Sequence, residues 1–368
     1  MPYHFNRSIS NGENDYNFED TMVGNDTSFH LVKSADFVVF DKARGLKLLG
    51  SNPSHEFVFK VSKAVREAPV YVPSQNTLYL SQLAPPAGYS PQLVVDLNQS
   101  PPTLNEYRPD PPTYAPNGGT NLDGQILFRA SSSNNSMSGT EQRVSIRTID
   151  PATNRSSVLL NNYYGLYFNT IDDLAVHPTT HDIFFTDPQY SWLNALSDTA
   201  PQLPTASYRF NPSTGATFLI DDTLAQPNGI AFTPDARTLY ISDTGAVSST
   251  VDPRLGSIPA SFNATGRRTI YTLDVSADGT RVDNKRSFYL TQDWVPDELK
   301  VSQDGNVLTG AGRGVDVIDP LGQLVLPVQT NYTVQIFAWT GKDLKTLWVM
   351  GNGGISKVEW EVRGQELT

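Results

Sequence analysis

The sequence of 368 residues contains no cysteine. This absence excludes disulfides, thiolate nucleophiles and cysteine-ligated zinc sites. Long apolar runs are also absent: the opening residues, MPYHFNRSISNGENDYNFED, lack the apolar segment of a signal peptide. No later segment approaches the roughly 20 apolar residues that a membrane span needs. As written, the chain is therefore expected to be soluble and, if complete, cytoplasmic.

Familiar catalytic motifs are missing too. The chain has no G-x-S-x-G nucleophile elbow and no glycine-rich phosphate loop. Asp243-Thr244-Gly245 is the triplet of aspartic proteases, but no second copy completes the carboxylate dyad. His177 and His181 are four residues apart, yet they flank a predicted turn and lack the glutamate of a helical zinc motif. These observations disfavour serine nucleophiles, aspartic-protease chemistry and helical zinc sites.

Basic residues are in deficit, since 27 Lys and Arg stand against 38 Asp and Glu and the formal net charge is -11. Such a surface is unfavourable for nucleic acid and for an anionic membrane. We predict a small-molecule substrate as the partner and a monomeric protein.

Secretion, with a signal peptide already removed, is the alternative to a cytoplasmic location. It is suggested by seven Asn-x-Ser/Thr sequons, at Asn6, Asn25, Asn98, Asn134, Asn154, Asn263 and Asn331.

The stretch Gln226–Gly245, QPNGIAFTPDARTLYISDTG, has the pattern of a β-hairpin. A Pro-Asn-Gly turn precedes a first strand in which apolar residues alternate. Pro234-Asp235 marks the hairpin turn, and the second strand contains Leu239 and Tyr240. Units of similar shape recur at Glu67–Leu83, Asn117–Ala130, Ile171–Pro188, Pro296–Ala311 and Gln335–Gly351. Their spacing of about 40 to 70 residues fits four-stranded blades better than short helical repeats.

Six such units predict an all-β fold, a six-bladed β-propeller over residues 37–368, behind a flexible N-terminal leader of residues 1–36. The apolar run Phe37–Phe40 is expected to form a strand that closes the ring with the last blade. One short helix is predicted around Trp192–Leu196, and no other stretch keeps a helical period for long.

Polar residues precede the first strand in four of the units, at Glu67, Asp172, Asn228 and Asp297. Because the innermost strands of a propeller surround a central channel, side chains at their equivalent ends converge. Carboxylate and amide oxygens without cysteine or clustered histidine favour a hard cation, calcium first and then magnesium or manganese. Adjacent residues on a strand point to opposite faces, so only one member of each acid pair, Asp172-Asp173 and Asp297-Glu298, is expected to face the channel.

Long ordered motifs give the chain a resemblance to a known family. They are APNGGT at Ala115–Thr120, LLNNYYG and FNTIDD within Leu159–Asp173, FFTDPQY at Phe184–Tyr190, PNGIAFTPD at Pro227–Asp235 and VPDELKVSQDG at Val295–Gly305. Through these motifs the chain resembles the gluconolactonase and senescence-marker-protein (regucalcin) family, and within it the fungal lactonohydrolases, from about Phe37 to the C-terminus. The resemblance implies a six-bladed propeller with one divalent cation, usually calcium, in the central channel.

By position, the resemblance places the family's metal ligands on Glu67, Asn228 and Asp297. The family's Asn-Asp pair, whose Asn contacts metal or substrate, falls on Asp172-Asp173, which makes Asp172 a fourth candidate ligand and a candidate substrate contact. Asn117 and Asn169 are implied as further substrate contacts.

Two residues depart from the family pattern. Asp172 replaces the usual asparagine, and Glu298 replaces the glycine of the usual Pro-Asp-Gly. Either change would narrow the pocket, alter the substrate, or mark a member that no longer hydrolyses lactones.

The resulting hypothesis is a divalent-metal-dependent lactonase, in which the cation polarises the lactone carbonyl and Asp297 is both ligand and general base. A ligand carboxylate is a weak base, so Asp173 and Glu298 are alternative proton acceptors. Two other functions stay open. One is a metal-dependent isomerase or cyclase of a specialised metabolite, with Asp172 and Glu298 as its signature, and the other is a non-catalytic propeller that binds calcium or another ligand.

Overall fold

The computed structural model describes residues 18–21, 23, 25–62, 65–66, 68–82, 92–113, 116–122, 124–130, 143–194, 196–248, 251–252, 256–257 and 261–367. Two 3-10 helices, Phe18–Asp20 and Thr27–Ser34, precede helix α1 (Lys42–Leu49) and strand β1 (Ser54–Lys60). The side chain of Asp41 caps the start of α1 by accepting from the Arg44 N–H. Gly50, with φ of 74°, ends the helix in a conformation that favours glycine.

Six four-stranded antiparallel sheets follow one another along the chain. The first three are β2 (Val70–Val72), β3 (Thr77–Leu80), β4 (Gln92–Asp96) and β5 (Thr103–Tyr107), then β6 (Pro116–Leu122), β7 (Gln125–Ala130), β8 (Ser145–Asp150) and β9 (Arg155–Leu160), then β10 (Leu174–Val176), β11 (Ile183–Asp187), β12 (Ala206–Asn211) and β13 (Ala216–Asp221). Helix α2 (Tyr190–Leu193) lies between β11 and β12, where the short helix is predicted.

The fourth sheet contains an insertion between its second and third strands. Its members are β14 (Pro227–Phe232), β15 (Thr238–Asp243), β20 (Thr269–Val275) and β21 (Val282–Leu290), and the insertion holds β16 (Val247–Ser248), β17 (Val251–Asp252), β18 (Gly256–Ser257) and β19 (Ser261–Phe262). The last two sheets are β22 (Pro296–Val301), β23 (Val307–Ala311), β24 (Gly314–Ile318) and β25 (Leu324–Gln329), then β26 (Thr333–Thr340), β27 (Thr346–Asn352) and β28 (Gly354–Glu359) with β1 at the outer edge.

The sheets form a closed ring around a central channel. Each of the innermost strands contacts the next, in the order β2, β6, β10, β14, β22 and β26, and β26 contacts β2. Every hairpin unit predicted from the sequence coincides with the first two strands of one sheet. The all-β propeller class predicted from the sequence is confirmed.

The ring is closed by β1 and not by the Phe37–Phe40 segment. Phe37 pairs with Val328 of β25, and the Phe40 N–H donates to the Val325 carbonyl at 2.9 Å, so this segment lies beside the fifth sheet. The prediction that it joins the last blade is therefore wrong. Strand β1 takes that place because it pairs with β28 and because Phe59 stacks on Trp348 of β27 at 6.4 Å.

Part of the predicted N-terminal leader packs on the fifth sheet. Phe18, Phe29 and Val32 are buried together with Val38, and the Gln329 side chain donates to the carbonyls of Val32 and Ala35, the latter at 2.6 Å. Residues 1–17 lie outside the described residues. No helix in the described ranges has the length and apolar character that a membrane crossing requires.

Candidate functional site

The innermost strands begin at one end of the ring, which we call the mouth. Two close approaches of neighbouring strands show that their equivalent residues lie level with each other. A Cβ at Gly118 would lie 2.2 Å from the Asp172 carbonyl, and one at Gly229 would lie 2.4 Å from the Asp297 carbonyl. Glycine at both positions lets β6 approach the start of β10, and lets β14 approach β22.

These approaches bring the predicted polar residues together in two pairs. The Asn117 side-chain amide donates to Asp172 Oδ1. Asn228 lies near enough to Asp297 for its side chain to lower the pKa of that carboxyl. Asn117, Asp172 and Asn228 are buried, whereas Asp297 is half-buried. The mouth thus repeats one arrangement, in which an Asn-Gly on one strand meets two consecutive acids on the next.

The acids Asp172 and Asp173 separate as strand alternation predicts. Asp172 faces Asn117, while Asp173 accepts the N–H of Leu174 at 2.8 Å and that of Ile230 at 3.0 Å. Asp173 therefore ties β10 to β14. Burial raises the pKa of Asp173, and the charge of Lys300 and these backbone donors oppose that rise.

Asp297 and Glu298 also occupy different surroundings. Burial raises the pKa of Asp297 to about 6, against the opposing effects of Arg66 and Asn228 and with a further rise from Asp173. Glu298 is buried and accepts from Lys300 Nζ. Burial raises the pKa of Glu298 to about 8, although Lys300 opposes the shift, and Asp173 and Asp297 add to it. Repulsion among Asp173, Asp297 and Glu298 is thus one cause of the raised pKa values of Asp297 and Glu298.

The predicted substrate contact Asn169 lies buried at the start of the turn that leads into β10. Its side-chain amide donates to the carbonyls of Leu203 and Pro204 at 3.1 and 3.2 Å. No described residue donates to its Oδ1. Such an orphaned buried oxygen suits a residue that meets a ligand or a bound water.

Sequence reasoning missed two aspartates that hold the turns at the mouth. Asp187 accepts the backbone N–H groups of Asn169, Thr170 and Ile171 at 2.7 to 3.0 Å. Asp243 does the same for Ala225, Gln226 and Gly245 at 2.9 to 3.0 Å. Both stand at the end of the second strand of a sheet, in the sequences Phe-Thr-Asp and Ile-Ser-Asp. That shared position at the strand end was the signal in the sequence that could have identified the two aspartates.

The residues at the mouth have the chemistry of a hard-cation site. Asn228, Asp297 and Asp172 offer amide and carboxylate oxygens, the donors that calcium prefers. Within the described ranges no three His, Asp or Glu side chains are close enough together to hold a metal ion by themselves. The fourth predicted ligand, Glu67, lies outside the described residues.

His177 is a packing residue far from the mouth. Its Nδ1 accepts from the N–H groups of Thr179 and Thr180, and its ring packs edge-on against Phe232 at 5.1 Å. Burial lowers the pKa of His177, Asp182 opposes this, and Arg209 adds to it.

Because the neutral form of His177 is favoured in the fold, its contribution to stability is complete above the unfolded pKa and is lost as the pH falls below it. We expect the free energy of unfolding of the wild type to fall relative to His177→Asn between about pH 7 and about pH 5. Parallel denaturant titrations of the two proteins measure this difference. A constant difference across that range would contradict the assignment of a neutral His177.

The central channel continues beyond the mouth as a cavity of about 660 Å³. Its walls are the later residues of the innermost strands, including Ala175, Phe232 and Lys300. The C-terminal residues 365–367 cover its far end, where the Gln365 side chain donates to the carbonyls of Phe232 and Val301 at 2.8 and 2.9 Å. The mouth residues stand at the opposite end of this channel.

Comparison with known proteins gives a consistent result. The family model for the SMP-30/gluconolactonase/LRE-like region matches residues 67–250 and 262–351. Lactonohydrolase oryL of Aspergillus oryzae is 39% identical over 363 residues, which cover 98% of this chain and 83% of that protein. Lactonohydrolase oryH of the same organism is 37% identical over 422 residues, which cover 100% of this chain and 90% of that protein.

The fold is shared with solved structures as well. A gluconolactonase from Xanthomonas campestris superposes with a TM-score of 0.71 and 20% identity, covering 89% of this chain and 95% of that one. At that identity the superposition bears on the fold alone, whereas the family match spans most of the chain. The chain belongs to the SMP-30/gluconolactonase/LRE-like family.

Proposed function

We propose that the protein is a metal-dependent hydrolase that opens a lactone ring at the mouth. The observation that carries the proposal is the Asn228–Asp297 pair, because it sets an amide and a half-buried carboxylate side by side at the start of two innermost strands. Support comes from relatives of more than a third identity that are named lactonohydrolases. In this proposal the six sheets are six blades around one channel.

The candidate ligands are Glu67, Asn228 and Asp297, with Asp172 as a fourth, and calcium is the expected cation. A divalent cation at this place supplies a Lewis acid for the lactone carbonyl. The negative charge of Asp172, where the family resemblance leads us to expect a neutral asparagine, would strengthen cation binding.

The side chains at the mouth are assigned to proton transfer and to substrate orientation. Asp297 is half-buried and is the candidate to accept a proton from the attacking water, whose oxygen bonds to the carbonyl carbon. Asp173 is engaged by two backbone N–H groups and Glu298 by Lys300, so both are less available as bases. The ring C–O bond then breaks, and the proton goes to the departing oxygen to give a hydroxy acid. Asn117 and Asn169 orient the substrate.

The alternative function for the same site is that of a metal-dependent isomerase or cyclase. The Asn117–Asp172 pair and the Glu298–Lys300 pair favour it, because they contain two further buried acids, Asp172 and Glu298. This arrangement suits proton transfer between two positions of one substrate. The third hypothesis is a non-catalytic propeller that binds calcium or another ligand.

Proton release from a panel of five- and six-membered lactones at constant pH tests the proposal. We expect turnover with calcium, loss of turnover in excess chelator, and recovery when calcium is restored. Calcium binding, measured separately by calorimetry, distinguishes an inactive protein from one that lacks metal. Calcium binding without turnover of any lactone would contradict the hydrolase and favour the isomerase or the binding protein.

A further inference from the structure

The connection between β21 and β22, residues 291–295, leads directly into the strand that carries Asp297. Pro296 pairs with Ala311, so this connection lies at the mouth end of the fifth sheet. The Thr291 hydroxyl donates to the Trp294 carbonyl and closes the turn. Trp294 therefore stands at the rim, three residues ahead of the proposed base.

The indole of Trp294 is one half of a stacked aromatic pair. Its ring lies 4.7 Å from that of Phe262, with an angle of 21° between the planes. Phe262 is buried, whereas Trp294 is half-buried. The pair belongs to a small apolar cluster at the rim between the fourth and fifth sheets, formed by Ala246, Val247, Phe262, Ala264, Trp294 and Val295.

The N-terminal segment holds the same connection from its other side. Both carboxylate oxygens of Asp293 accept the Phe18 N–H at 3.1 Å, and Glu19 pairs with Arg313. A Cβ at Gly312 would lie 3.3 Å from the Cβ atoms of Asp293 and Trp294, which shows how tightly the adjacent turn fits. These contacts hold the connection in place, and the stacking on Phe262 orients the indole before any ligand arrives.

We infer that Trp294, stacked on Phe262, is the subsite for a hydrophobic substituent of the substrate, an alkyl or aryl group carried on the lactone ring. The inference rests on the proposed function, since it places that substituent beside a reacting lactone at Asp297. A preorganised apolar surface gains free energy when an alkyl chain covers it. A polyhydroxylated lactone would gain less, because its hydroxyl groups lose water against an aromatic ring that returns few hydrogen bonds.

The test compares δ-decalactone, which bears a pentyl chain, with unsubstituted δ-valerolactone. We expect the wild type to prefer δ-decalactone, and Trp294→Ala to reduce that preference by about tenfold, mainly through KM. Trp294→Phe should keep most of the preference because it retains an apolar ring. Phe218→Ala is the matched control, since Phe218 is an aromatic residue with 44% exposure on the outer strand β13. This variant should keep the wild-type preference for δ-decalactone. Equal losses on both lactones, or no loss, would overturn the inference.

A binding measurement separates this inference from the proposed function. The probe is a pentyl-substituted δ-valerolactam, which resists hydrolysis, and its affinity is measured by calorimetry. Weaker binding to Trp294→Ala or Phe262→Leu, without turnover of any lactone, would retain the subsite and reject the hydrolase. Unchanged binding in these variants, or no binding to the wild type, would overturn the subsite whatever the activity. If Trp294→Ala does not fold, Phe262→Leu decides: weaker binding of the lactam to this variant supports the subsite, and unchanged binding overturns it.

Discussion

Asp297→Asn is expected to lower kcat/KM for the best lactone by about a thousandfold or more. Asparagine has nearly the same shape but cannot accept a proton, and it removes one negative charge from the mouth. The fold should persist, because the change relieves the repulsion between Asp297 and Asp173. Proton release at constant pH measures the activity, and thermal unfolding of the metal-free protein measures the stability.

Asp172→Asn is the matched control for that substitution. It changes the equivalent acid of the other Asn–Asp pair, and its amide oxygen can still accept from Asn117. We expect turnover within about tenfold of the wild type, with weaker calcium binding. A loss as deep as that of Asp297→Asn would mean that both pairs take part in the chemistry, and would favour the isomerase.

Gly229→Ala is expected to lower the free energy of unfolding by about 3 kcal/mol or more and to abolish turnover. The new Cβ would lie 2.4 Å from the Asp297 carbonyl oxygen and 2.6 Å from the Leu299 nitrogen. Both are backbone atoms of β22, so the strand that carries Asp297 must move. Denaturant titration measures the stability of the variant, and the lactone assay measures the function.

Gly310→Ala provides the comparison. Gly310 is also buried in an inner hairpin, but its nearest neighbours would lie 3.4 Å from a new Cβ, which is an ordinary contact. The expected loss of stability is within about 1 kcal/mol. If Gly229→Ala proved equally mild, the two strands would not approach each other as closely as the structure shows.

The hairpins were predictable because each one is local. Alternating residues and a turn such as Pro234-Asp235 specify two paired strands within about 20 residues. Strand alternation likewise predicted that Asp172 and Asp173 face different ways. Gly229 was harder to interpret, because Asn-Gly is also the commonest hairpin turn, whereas here the glycine permits the approach of another strand.

The contacts between sheets could not be read from the sequence. The Ile230 N–H that holds Asp173 is 57 residues away along the chain, and no local pattern records such a partner. The closing strand was misassigned for the same reason. Phe37–Phe40 and β1 each contain a short apolar run, and only the pairing with Val328 or with β28 distinguishes them. The Phe18–Asp293 contact spans an even longer separation.

The pairing of β1 with β28 has a consequence for synthesis of the protein. The last sheet combines β1, which is synthesised before the other five sheets, with three strands that are synthesised after them, and β28 ends at Glu359. The other five sheets can form one by one during translation, but the ring stays open until β28 has been synthesised. A chain stopped short of β28 keeps β1 without its partner, and the exposed edge of such a fragment is a surface for aggregation.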